Sequence, residues 1–201
     1  MIVGIGRSPI ADFIIKYYNE YVGKALYPYP LFLDDKKLLL QGKKARYVQR
    51  LWANKNVTKI ALYPDYTYEI LNLPKHILYI LPIHDLRKDY ELYCKLKEKY
   101  NIWPGYASDV KYRNYSLEDF LEEFKGEKLW YLGVSTKTEL KEALMFNFQG
   151  MDVTGFLFGK NEDRKNALKL RRMLTDFLKQ VSKPQGRQSS ILEFFPLNWG
   201  V

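Results

Sequence analysis

The sequence predicts an α/β protein, a small or incomplete (β/α) barrel of the TIM type followed by a flexible C-terminal tail. Three observations lead there. Short apolar runs alternate with helical patterns five or six times along the chain, as parallel strands joined by crossover helices do. The glycine loop of a dinucleotide-binding sheet is missing, because the pattern that starts at Gly4-Ile-Gly6 runs into Pro9, and no P-loop lysine pattern occurs. The patterned body of about 180 residues is also shorter than the roughly 250 of a full barrel, so an eighth strand is expected to be absent or irregular.

Taken in order, the strand-like runs are residues 2–5, 31–33, 59–63, 77–82, 102–106, 129–134 and 151–157. Between 85 and 100, Leu86, Tyr90, Tyr93 and Leu96 recur at helical steps, and Cys94 on that helix is expected in the core. Ser116 is placed to cap a helix whose first turn holds acids. Thr136-Lys-Thr-Glu139 reads as a capping box. Ala167, Leu170, Leu174 and Phe177 form one stripe of a last helix over 161–180. The barrel is thus assigned to 1–180. Residues 181–201 form a tail whose polar leader, with Pro184 and Gly186, reads as a linker.

Composition narrows the function. One cysteine and two histidines exclude a disulfide framework and a four-ligand Cys/His zinc site. The N-terminus lacks the apolar core of a signal peptide, and no apolar run approaches a membrane span. A soluble cytoplasmic protein is expected, without metal or other cofactor. The net charge is +9, and residues 36–59 hold eight basic side chains and no acid. Such a run attracts a phosphate backbone through counterion release. Lys36, Lys37, Lys43, Lys44, Arg46 and Arg50 are the candidate nucleic-acid contacts. A second basic cluster, from Lys160 to Arg172, is partly offset by Glu162, Asp163 and Asp176.

The tail reads Gln188-Ser-Ser-Ile191-Leu-Glu-Phe194-Phe195, which resembles the PCNA-interacting peptide of replication and repair proteins. One tight helical turn would put Ile191, Phe194 and Phe195 on one side as an apolar plug, leaving the Gln188 amide to hydrogen-bond separately. The partners implied are the sliding clamp and DNA, in the nucleoid of an archaeal-type cell or its virus.

Residues 130–154, W-Y-L-G-V-S-T-K-T-E-L-K-E-A-L-M-F-N-F-Q-G-M-D-V-T, resemble a stretch of the tRNA-guanine transglycosylases, and the shorter DNA-modifying relatives match best in the order of pieces. In that family a glycine turn, a helix and a strand-borne aspartate follow in this order, and the aspartate attacks the sugar C1′. The resemblance implies Asp152 as nucleophile, Asp34 as acid/base and Asp65 as an acceptor for the base edge. Its substrate would be a purine or deazapurine base, exchanged in or removed from DNA. Asp34-Asp35-Lys36 departs from the family's Asp-Ser-Gly, and the zinc cysteines of the tRNA enzymes are absent. Without the resemblance, Asp152 reads as a strand-end residue, Asp34 and Asp35 as a pair at a helix start, and Asp65 as a turn former after Pro64. His84–Asp85 ranks below these, because neighbours in a strand face opposite ways. A non-catalytic clamp- and DNA-binding accessory protein is the alternative.

Overall fold

The computed structural model describes residues 1–35, 38–39 and 41–182. They form an α/β protein in which eight parallel strands make a nearly closed barrel. In chain order the elements are β1 (Ile2–Ile5), α1 (Pro9–Tyr17), β2 (Leu26–Pro28), β3 (Phe32–Leu33), α2 (Lys44–Ala53), β4 (Ile60–Leu62), β5 (Leu78–Ile83) and α3 (Leu86–Lys97). There follow β6 (Ile102–Ala107), α4 (Leu117–Glu123), β7 (Trp130–Val134), α5 (Lys137–Met145), β8 (Gly150–Val153), α6 (Asn161–Lys165) and α7 (Ala167–Val181). The strand order is β2-β1-β8-β7-β6-β5-β4-β3.

Chain continuity spans the gap where the hydrogen bonds of the nearly closed barrel stop. Residues 29–31, which join β2 to β3, are far too few for the crossover that side-by-side parallel strands require. Residues 26–33 therefore run on in one direction. The Val3 amide bonds the Ala25 carbonyl and the Tyr29 amide bonds the Ile5 carbonyl, tying the first half to β1. The Leu31 carbonyl accepts from Ile60, tying the second half to β4. The expectation of an absent or irregular eighth strand is corrected: eight strands form, and the interruption falls between β2 and β3.

Two cores result. Phe32, Ile60, Leu62, Leu78, Ile80 and Trp130 pack together at inward register positions of the strands. A larger cluster, with Tyr47, Leu51, Leu92, Leu96, Phe120, Leu140, Leu174 and Phe177, fills the space under the helices. Glycine makes the inner packing possible. The Trp130 ring lies where a methyl group on Gly150 would stand, with 2.2 Å between that carbon and the ring. Trp130 then stacks on Phe32 at 5.8 Å and forms an aromatic floor across the barrel.

Most helix starts follow local chemistry. The expected capping box of Thr136 with Glu139 is present, and the Ser116 cap proves to be one too, with Asp119. Three readings of these elements are corrected. Residues 155–158 form a 3₁₀ turn, not the end of a strand. The expected helix over 161–180 is two, because the Asn166 side chain accepts from Leu168 and Lys169 and starts a new one. Cys94 is exposed, since helix α3 turns Leu92, Tyr93 and Leu96 inward. Between β4 and β5 no helix forms; an irregular segment, 63–77, makes the crossover. Buried tyrosines hold it. Tyr63 donates to Glu69, Tyr100 to Leu71 and Tyr79 to Pro74, so the backbone groups that a helix would have paired find partners.

Candidate functional site

The C-terminal ends of β1, β3 and β8 surround a cavity of about 640 Å³, a size that suits a small ligand. Asp34 and Asp152 both line it, together with Gly6, Arg7, Ser8 and Thr154. Asp152 pairs in register with Gly4 of β1 and points to the barrel interior, where it is 9% exposed. Its Oδ1 accepts from the Trp130 indole at 3.0 Å, and its Oδ2 accepts from the Gly133 amide at 3.0 Å. That second donor depends on a break in register between Tyr131 and Val134, with Gly133 at φ 71°. The bulge turns an amide out of the ladder and toward the carboxylate.

Asp34 follows β3 directly, two residues beyond the inward-facing Phe32. A methyl group on Gly6 would stand 4.0 Å from its Oδ2, so the carboxylate reaches across toward β1. Its neighbour Asp35 also lines the cavity, but it is held in an ion pair with Arg50 of α2 and accepts from the Leu38 amide. The two acids of the Asp-Asp pair thus differ in their partners: Asp35 is paired with a helix cation, while Asp34 reaches toward β1. Beneath them the single Tyr47 hydroxyl proton is shared between the Leu62 carbonyl at 2.7 Å and the Leu33 carbonyl at 3.1 Å. Burial, with the Asp34 charge second, holds that phenol well above its usual pKa.

Asp65 is not among the residues lining this cavity. Its Oδ1 lies 2.6 Å from Nε2 of His84, and Nδ1 of the same ring faces the Tyr112 carbonyl. Both ring nitrogens face acceptors, so only the imidazolium satisfies both. Burial lowers the His84 pKa, but the Asp65 hydrogen bond and charge outweigh it and the net shift is upward. The His84 amide donates to Asp89 at 2.6 Å; burial raises the pKa of Asp89. Asp85 does not join His84 and instead caps α3 through Lys88.

Of the basic candidates, Lys43 and Arg46 are exposed and Lys44 is half-buried at the start of α2, while Arg50 is held by Asp35. Lys36 and Lys37, and the tail positions Gln188, Ile191, Phe194 and Phe195, lie outside the described residues. Sequence reasoning missed Arg7, Ser8 and Thr154 on the cavity wall. Ser8 and Pro9 carry a readable signal, since Ser8 caps α1 and proline takes its first position. Thr154 carries none: its Oγ1 is buried without a partner in the structure. Among the described residues no group of three or more His, Cys, Asp or Glu is placed to hold a metal ion, and no helix is long and apolar enough to cross a membrane.

No family model matches the sequence. The chain is 45% identical over 194 residues to the uncharacterized protein ORF192 of Acidianus two-tailed virus, a match covering 94% of this chain and 98% of that one. At that identity and coverage the chain belongs to the same family as ORF192, a protein of an archaeal virus.

Proposed function

We propose that this protein is a transglycosylase-like enzyme that exchanges or removes a purine base in DNA while tethered to the sliding clamp by its tail. The observation that carries the reading is the pair of carboxylates, Asp34 and Asp152, brought from opposite ends of the sequence to one ligand-sized cavity. It stands at the C-terminal ends of barrel strands, where barrel enzymes keep their chemistry.

The step needs two acids in different roles. The Asp152 carboxylate attacks the sugar C1′ as the C1′–N bond to the base breaks, and protonated Asp34 gives its proton to the departing base. An incoming base, deprotonated by Asp34, then displaces Asp152 from C1′; water in its place leaves an abasic site. The Trp130 and Gly133 donors fix the direction of the Asp152 carboxylate. Asp65, turned to His84, takes no part in this step. Lys43, Lys44 and Arg46 would meet the phosphates, with Lys36 and Lys37 beside them in the sequence. The target base leaves the stack to be reached.

The test is incorporation of labelled guanine or a deazaguanine into DNA and tRNA, comparing wild type with Asp152→Asn. Label in DNA that is lost in the variant supports the reaction and its nucleophile. No exchange and no abasic product with either substrate overturns it. The second reading, a non-catalytic clamp- and DNA-binding accessory protein, is favoured by Asp34-Asp35-Lys36, where a lysine replaces the glycine that would let a substrate approach the backbone closely.

A further inference from the structure

The segment that replaces a helix between β4 and β5 leaves two large aromatic rings in water, Tyr66 at 60% exposed and Tyr68 at 55%. Tyr66 lies flat on the His84 imidazole, with ring centroids 4.5 Å apart and planes within 9°. One face of the phenol is covered and the other is open. Tyr112, 45% exposed, meets the same imidazole edge-on at 6.5 Å. Tyr66 also has φ 50°, a left-handed backbone that a bulky side chain rarely adopts. Such a conformation persists only where the surroundings impose it. Here the Tyr63, Tyr79 and Tyr100 hydroxyls pin the segment from below, and Asp65 ties its neighbour to His84. The ring thus sits stacked on His84 and largely in water, outside the core.

We propose that Tyr66, backed by His84 and flanked by Tyr68 and Tyr112, is a stacking platform for an unpaired base of a single-stranded nucleic acid lying across the barrel mouth. A flat ring with one open face suits any base, because every base has a π-face. Tyr66 follows β4, His84 follows β5 and Tyr112 follows β6, so the platform shares the C-terminal face with the Asp34–Asp152 cavity. Exposed Lys111 and Arg87 lie one and three positions from Tyr112 and His84, the acids beside the platform are paired, Asp65 with His84 and Asp85 with Lys88, and the chain carries net charge +9. These features select a polyanion with exposed rings over an apolar peptide. The inference deepens the proposed function by naming an unpaired strand as the substrate form, and it rests on that reading only for the presence of a nucleic acid.

The test is fluorescence anisotropy with a labelled oligothymidine of about 12 nucleotides, within the usual site size of such grooves, and with the same strand in duplex. Thymidine offers no purine to the reaction, so binding is read apart from turnover. Wild type is expected to prefer the single strand. Tyr66→Asn, which tolerates the left-handed backbone, is expected to weaken binding about tenfold, Tyr112→Ala to weaken it less, and Tyr66→Phe to retain it. Wild-type affinity in Tyr66→Asn, or equal affinity for duplex, would overturn the platform. Base exchange measured on the same variants separates the two ideas. Exchange with unchanged binding in Tyr66→Asn sinks the platform alone, and platform-dependent binding without exchange sinks the reaction alone.

Discussion

His84 shows how much one side chain can depend on its surroundings. In sequence it sits beside Asp85, yet its imidazole bonds Asp65, nineteen positions away, because the end of β5 and the segment after β4 meet at the barrel mouth. The folded-state pKa is raised above the ordinary histidine value. A group raised in this way adds stability that is fully present below its unfolded pKa and is lost as pH rises through the folded value. His84→Gln, which removes the charge, is therefore expected to lower Tm most near pH 5 and least near pH 8, approximate ends of the histidine window. A Tm difference that stayed constant between those pH values would show that the Asp65 pair contributes no linkage. At the same scale, the sequence shows Asp34 and Asp35 as equivalent neighbours. Both line the cavity, and only the placement of α2, with Arg50 on Asp35, distinguishes them.

Elements were legible where their signals are local. The cap at Ser116 and the capping box at Thr136 work within four residues, so neither needed a tertiary partner to be read. The apolar runs that became β4 to β7 were equally plain, because strands buried on both faces leave polar residues little room. β2 escaped notice: Leu26-Tyr27-Pro28 is short and sits among prolines, and only pairing with β1 makes it a strand. Helix α2 was read as a charge run because Tyr47 and Leu51 are its only buried residues. The floor under the cavity belongs to this scale too. Gly150→Ala would drive a methyl group into the Trp130 ring, and overpacking of that kind costs about 3 kcal/mol or more where neighbours cannot move. Urea unfolding of the variant checks it; a loss under about 1 kcal/mol would mean that the floor yields easily.

Across the whole molecule, the barrel brings distant residues together, and the tail is expected to bring the molecule to its partner. Binding a clamp raises the effective concentration of a DNA-acting protein without any new contact at the site. Phe194→Ala combined with Phe195→Ala removes most of the apolar plug of the peptide. The double variant is expected to lose co-elution with the clamp while keeping the Tm of the wild type. Unchanged co-elution would refute the clamp-binding reading, and a fallen Tm would show that the two rings support the fold. This assignment comes from sequence alone, since residues 183–201 lie outside the described part of the structure.

By itself the sequence determined the α/β class, the run of strands and helices, the capped helix starts and the excess of positive charge. Each of these depends on composition or on contacts within a few residues, which the order of side chains already contains. The tertiary structure decided which acids meet. Asp34 and Asp152 are 118 positions apart, and they reach one cavity only because β1, β3 and β8 end around it. It also decided that Asp65 turns away to His84 and that Trp130 and a bulged amide aim Asp152. Those outcomes depend on strand register and barrel closure, which are properties of the assembled sheet and of no single stretch of chain.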